Sequence, residues 1–111
     1  MEFLPVCLKL TDAPVLLVGG GTVATRRAWL LLRSGANLTV VAPYIDPELE
    51  RLLAKHGGVW QQAGYREVDL HGRKMAVAAT PDASVNEQVY RDASALSIPV
   101  NVVDKPDLCT F

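Results

Sequence analysis

The chain has 111 residues, of which 50% are apolar and 21% charged, with a formal net charge of -1. This length and apolar share suit one domain with a buried core and exclude a disordered segment, which combines low hydrophobicity with high charge. A charge so near neutral supplies no bulk positive field, so neither nucleic acid nor an anionic membrane is expected as a partner, and an anionic ligand has to be held by local donors.

From the N-terminus, Met1-Glu2-Phe3-Leu4-Pro5 lacks a basic segment leading into an apolar signal core. No stretch approaches the roughly 20 apolar residues of a membrane span, so a cytoplasmic protein is expected. Residues 3–10 alternate like a strand, which could join a sheet edge or line a cleft. Val15-Leu16-Leu17-Val18 is a continuous apolar run halted by three glycines, the pattern of a strand buried on both faces of a parallel sheet. A first helix is predicted from Thr22 to Gly35, with Ala24, Ala28, Leu31 and Leu32 on its buried face. Residues 38–42 read as a second strand, ending at Pro43, which has no N–H for a ladder. Asp46 and Pro47 have the character of an N-cap and first helical residue, with Leu49, Leu52 and Leu53 buried and Gly57 as the stop. Residues 59–62 form a weaker strand, residues 66–72 are short and polar, and residues 75–79 are a buried strand. From Asp82 as N-cap, Val85, Val89, Ala93 and Leu96 trace one helix face, and residues 99–103 give a further strand. Right-handed crossovers turn this βαβαβ–βαβ string into an α/β, Rossmann-like doubly wound parallel sheet in three αβα layers.

Cys7 and Cys109 stand in no CxxC or Cys/His spacing, so two buried thiols and no metal site are expected. His56 and His71 lie in polar, turn-like surroundings and read as surface residues. Arg26 and Arg27 on the first helix read as solvated charges.

The chemistry concentrates after the first strand. Gly19-Gly20-Gly21-Thr22-Val23-Ala24 fits G-x-G-x-x-G/A at Gly19, Gly21 and Ala24. Such a turn needs a residue at ease with positive φ, a second glycine to admit a pyrophosphate, and a small third residue for close helix–strand packing. Backbone N–H groups and the helix dipole then face the phosphates. The hexapeptide alone could be a ligand-free glycine turn; the strand before it and the helix after it make dinucleotide binding the better reading. No Lys-Ser or Lys-Thr follows, which disfavours a nucleoside-triphosphate P-loop. The acidic residue expected at the end of strand two to hold the ribose hydroxyls is replaced by Val41-Ala42-Pro43-Tyr44. Electrostatics therefore leave NADP admissible beside NAD, and backbone groups around Pro43 and Tyr44 are candidates to hold the adenosine ribose.

Several segments taken together resemble the dehydrogenase/ferrochelatase part of siroheme synthases: Phe3-Leu4-Pro5-Val6, residues 18–28 from Val18 to Ala28, Ala78-Ala79-Thr80-Pro81-Asp82 with Val85-Asn86, and Asn101-Val102-Val103-Asp104. The resemblance covers essentially the whole chain. It implies NAD-dependent oxidation of precorrin-2 to sirohydrochlorin, in many members followed by iron insertion to give siroheme. It also implies cofactor contacts at Gly19, Gly21, Thr22, Val23, Ala24, Pro43, Tyr44 and Thr80, and a catalytic carboxylate at Asp104. Ligands of open α/β sheets bind beyond the carboxyl ends of the strands, where Asp104 would sit, and a carboxylate there can take the proton lost in a dehydrogenation. Read without the resemblance, Asp104 is a turn residue accepting a backbone hydrogen bond, Thr80 before Pro81 a strand terminator, and Asn86 a residue of the first helical turn. The family continues into a dimerisation region and a helical C-terminal part, so the chain is expected to be the NAD-binding fragment of a homodimeric enzyme and to lack turnover alone. Two other readings stand beside this one: a Rossmann dehydrogenase of another substrate class, which owes nothing to Asp104, and a non-catalytic regulatory nucleotide-binding module.

Overall fold

In a computed structural model, residues 7–103 are described, and they form one parallel sheet flanked on both faces. The elements are β1 (Pro14–Val18), α1 (Thr22–Arg33), β2 (Asn37–Val41), α2 (Pro47–His56), β3 (Val59–Gln61), a 3-10 turn (Glu67–Leu70), β4 (Met75–Ala78), α3 (Ala83–Ala95) and β5 (Val100–Val102). The sheet order is β3-β2-β1-β4-β5. All neighbours are parallel, with Val18 of β1 opposite Val41 of β2 and Ala78 of β4. The chain thus winds outward from β1 in one direction, returns, and winds outward in the other. This reversal leaves a crevice at the carboxyl ends of β1 and β4.

The unbroken apolar run of β1 has a direct structural cause. Val15 and Leu17 point to the face covered by α1 and α2, where they meet Ala24, Ala28, Leu31, Leu49 and Leu53. Leu16 and Val18 point to the opposite face, against Leu70, Val89 and Ala93. Alternating side chains serve opposite faces of a strand, and here both faces are core, so no position in β1 beyond Pro14 is left for a polar residue. Burying a side chain such as Leu16 or Leu17 completely stabilises the fold by about 1.5–3 kcal/mol.

The boundaries follow the sequence signals within a residue or two. Helix α1 ends at Arg33, with Gly35 beyond it at φ +81°, and α2 ends at Gly57 in the left-handed region. Several expectations are corrected. Cys7 is exposed, because residues 7–10 run outside the sheet rather than as a strand; Cys109 lies outside the described residues, as do residues 3–6 of the anticipated first strand. Leu52 is only half-buried at the margin of the α2 stripe. Leu96 is 41% exposed because α3 stops at Ala95 and Leu96 forms its C-cap. Asp46 occupies the N-cap position of α2 without a side-chain cap bond; instead its N–H donates to Gly20 O at 2.8 Å.

The polar segment before β4 replaces a helix in the β3–β4 crossover with one 3-10 turn. It drops Leu70 into the core and buries Asp69, whose carboxylate accepts from Gln61 Nε2 at 3.0 Å and from the Arg66 N–H at 2.8 Å. Arg73 completes the knot, donating from Nε to Asp69 O and from Nη1 to Thr39 Oγ1. Among the described residues no helix is long and apolar enough to cross a membrane.

Candidate functional site

Three loops converge where β1 ends. Gly19 has φ +129°, a conformation essentially reserved for glycine, and its N–H donates to Val41 O of β2 at 3.0 Å. A Cβ there would meet the backbone of Ala79 at the end of β4, 2.8 Å from its carbonyl carbon. Gly20 is constrained from the other side: a Cβ would collide with Tyr44 O and lie 2.9 Å from Ile45 Cα. The glycine turn is therefore pressed between the loop after β2 and the loop after β4.

Gly21 differs. A Cβ on it would meet nothing within 4 Å, and its φ of -89° is open to any residue. Protein packing accordingly explains Gly19 and Gly20 but not Gly21. A ligand approaching the backbone at this point would explain it, as expected for the second glycine of a pyrophosphate turn.

Gly21 is also the N-cap of α1, and it caps the helix with no side chain. No acidic residue stands in the first turn, so the positive end of the helix dipole and the first-turn N–H groups of Thr22, Val23 and Ala24 meet no carboxylate of their own helix. The helix is anchored instead from behind, through Thr25, whose N–H and hydroxyl both reach Gly21 O, at 2.9 and 2.8 Å. The side chain of Ala24 is fully buried against β1, so its only offering to a ligand is its N–H.

The predicted contact residues fall around this point. Pro43 and Tyr44 extend beyond β2, with Tyr44 82% exposed beside the glycine turn that its carbonyl touches. Their loop is held by Trp60 Nε1 donating to Ala42 O at 2.9 Å and by Gln62 Nε2 donating to Pro43 O at 3.3 Å. Thr80 continues β4 on the opposite side of the turn, next to Ala79, whose N–H donates to Val18 O at 2.8 Å. Gly19 and Gly21 thus form the turn, Thr22, Val23 and Ala24 open α1, Pro43 and Tyr44 lie in the loop after β2, and Thr80 lies in the loop after β4. Asp104 lies outside the described residues; Val103, just before it, donates from its N–H to Ala78 O at 3.0 Å at the end of β4.

Sequence reasoning undervalued Asn86. It is buried and makes three hydrogen bonds to Thr80. The one signal that could have marked it is its spacing, six residues beyond the strand-end Thr80, which lets the first turn of α3 fold back on the strand. Asp82 behaves as predicted, N-capping α3 through Oδ1 to the Ser84 and Val85 N–H groups. The Ser84 hydroxyl, 2.7 Å away, and those two N–H groups hold its carboxyl below the usual carboxylate range. Arg26 lines a groove of ≈ 500 Å³ between α1 and α2 beside Asp46, Glu48 and Trp29. Among the described residues no group of three or more His, Cys, Asp or Glu could hold a metal ion.

A family model described as "Putative NAD(P)-binding" matches residues 6–111. The chain is 48% identical over 112 residues to the siroheme synthase of Methylobacillus flagellatus, an alignment covering 100% of this chain and 24% of that protein. It is 49% identical over 110 residues to the siroheme synthase of Pseudomonas putida, covering 99% of this chain and 24% of that protein. Among solved structures, one described as SirC, precorrin-2 dehydrogenase, matches with a TM-score of 0.81 at 37% identity, covering 90% of this chain and 50% of that one. The chain therefore spans 24% of the length of these curated relatives.

Proposed function

The chain belongs to the NAD(P)-binding family whose pattern it matches along residues 6–111, and from that premise we propose that it is the NAD-binding part of a precorrin-2 dehydrogenase, oxidising precorrin-2 to sirohydrochlorin in siroheme biosynthesis. The observation that carries this reading is the glycine turn: Gly19 and Gly20 are demanded by backbone packing, while Gly21 leaves open space beside the uncapped N-terminus of α1. The similarity to a precorrin-2 dehydrogenase along 90% of the chain supports the choice of substrate.

In this reading the N–H groups of Thr22, Val23 and Ala24 receive the diphosphate, with the helix dipole adding to the attraction. Pro43 and Tyr44 hold the adenosine side and Thr80 the nicotinamide side. Bound NAD supplies the hydride acceptor. Removing two hydrogens from the tetrapyrrole releases a hydride and a proton, and Asp104 takes the proton as general base. The residues at the end of β2 offer no charge to a 2′-phosphate, in keeping with NAD as the partner. The family resemblance extends the proposal to a cytoplasmic homodimer in which the rest of the polypeptide completes the tetrapyrrole site.

The test is Asp104→Ala in the full-length protein. Precorrin-2 turnover is expected to fall about 10²- to 10⁴-fold, the range for loss of a general base, with NAD affinity unchanged. Near-normal turnover would remove Asp104 from the chemistry and favour a dehydrogenase of another substrate class.

A further inference from the structure

Beyond Val41, the last residue of β2, the next acidic residue is Asp46. It is half-buried, and its N–H donates to Gly20 O at 2.8 Å, which ties it to the glycine turn. The segment leading into it lies against the same turn, where a Cβ on Gly20 would stand 2.9 Å from Ile45 Cα. The backbone of Asp46 is therefore fixed beside the turn.

Its side chain is uncommitted. By position Asp46 is the N-cap of α2, and a capping aspartate ordinarily gives its carboxylate to the first-turn N–H groups. Asp82 does this for α3, accepting from the Ser84 and Val85 N–H groups, whereas Asp46 makes no such bond. Among the described residues it has no cation partner either. Asp46 instead lines the groove of ≈ 500 Å³ between α1 and α2, together with Thr22, Arg26 and Glu48. Thr22 is the first residue of α1, so the groove opens at the amides that face the diphosphate in the proposed function. Arg26 is the one cation among the lining residues, against the carboxylates of Asp46 and Glu48, which leaves the groove net negative.

We propose that Asp46 is a specificity-determining residue: its carboxylate accepts from the hydroxyls of the adenosine ribose and so selects NAD against NADP. This rests on the reading of the glycine turn as a dinucleotide site with its adenosine half toward Tyr44. A single methylene joins the ribose to the diphosphate, so an adenosine directed from Thr22 toward Tyr44 carries its ribose past the mouth of the groove. A 2′-hydroxyl there donates to the carboxylate; a 2′-phosphate removes that donor and sets like charge against Asp46. The head of α2 thus supplies the charge that the end of β2 lacks.

The experiment titrates the full-length protein with NAD and with NADP by calorimetry, for wild type, Asp46→Asn, Asp46→Ala and Glu48→Gln, with a thermal melt of each. Wild type is expected to bind NAD more tightly than NADP. In both Asp46 variants that preference falls about tenfold, the scale of one hydrogen bond to a charged acceptor. NADP binding strengthens in both, because the opposing charge is gone. Glu48→Gln, exposed in the first turn of α2, keeps the wild-type preference. Melts of the Asp46 variants stay close to wild type, since no cap bond is lost; should Asp46→Ala fail to fold, Asp46→Asn, of nearly the same size, carries the test. Wild-type protein indifferent between NAD and NADP, an unchanged preference in the Asp46 variants, or an equal shift in Glu48→Gln would overturn the proposal while leaving the dinucleotide site standing. Wild-type protein that binds neither would overturn the dinucleotide reading itself.

Discussion

The backbone of Ala79 stands where a side chain on Gly19 would have to go: a Cβ on Gly19 would lie 2.8 Å from the Ala79 carbonyl carbon. The end of β4 therefore closes directly on the turn after β1, and the crevice at the topological switch is built by contact between two backbones. Gly19 has no choice of residue for a second reason, its φ of +129°.

The neighbouring glycines answer differently to the same substitution. Gly19→Ala is expected to cost about 1–3 kcal/mol for the backbone conformation alone, with the collision against Ala79 in addition. Gly21→Ala should change stability by no more than about 0.5 kcal/mol, since its Cβ meets open space. NAD affinity should nevertheless fall in Gly21→Ala, because the methyl fills the approach to the turn. Denaturant melts and NAD titrations of both variants check this; Gly21→Ala with wild-type NAD affinity would show that the open space is not the ligand's.

Leu16 lies at the centre of the β1 face that packs against α3 and the 3-10 turn, fully buried. Leu16→Ala is expected to destabilise the fold by about 2–5 kcal/mol. Equilibrium unfolding in urea measures it, and a loss below 1 kcal/mol would mean that the core around β1 collapses to fill the gap.

Tyr65 donates its hydroxyl to Asp92 Oδ2 at 2.7 Å, and burial, followed by that hydrogen bond and the Asp92 charge, pushes its phenol well above the ordinary tyrosine range. The native state thus favours the protonated phenol. Its contribution to stability is fully present below the unfolded value near 10 and is lost as pH rises above it. In an ultraviolet alkaline titration, Tyr65 should ionise only as the protein unfolds, and Tyr65→Phe should remove this late component at a cost of about 1 kcal/mol. A Tyr65 that titrates reversibly near 10 in the folded protein would contradict it.

Asp82 works in the opposite sense. Its depressed carboxyl stabilises the fold above the unfolded value of 3.8, and that contribution disappears as pH falls through the native value. Asp82→Asn keeps an oxygen for the Ser84 and Val85 N–H groups but loses the charge, so neutral stability should fall slightly while the acid-side decline becomes shallower. Thermal melts between neutral and acid pH compare the two; a steeper acid decline in Asp82→Asn would be inconsistent with this cap.

Much of this structure is written locally. The β1 run, the glycine turn and the α1 stripe are legible because period and turn chemistry are carried by adjacent residues, and the α2 signals, Pro47 and Gly57, likewise act where they stand. The missed features depend on distant partners. Asp69 and Leu70 sit in a segment that reads as polar loop, yet Gln61, Arg66 and Arg73 make burial of the carboxylate affordable and the sheet face claims the leucine. Asn86 looks like an ordinary helix residue until α3 folds back on Thr80. Asp46 has the identity of a cap, but its backbone is drawn to Gly20, a contact no local pattern records. The glycine turn was legible as a motif, whereas the differing reasons for Gly19, Gly20 and Gly21 required the positions of Ala79 and Tyr44.

We propose that the amides opening α1 hold the diphosphate of a dinucleotide laid across the β1–β4 crevice. A crystal structure of the protein with NAD tests it most directly. The diphosphate is expected within hydrogen-bond distance of the Thr22, Val23 and Ala24 N–H groups, over Gly21, with the two nucleosides reaching toward Tyr44 and Thr80. NAD bound with its diphosphate elsewhere, and the face of Gly21 left bare, would contradict it.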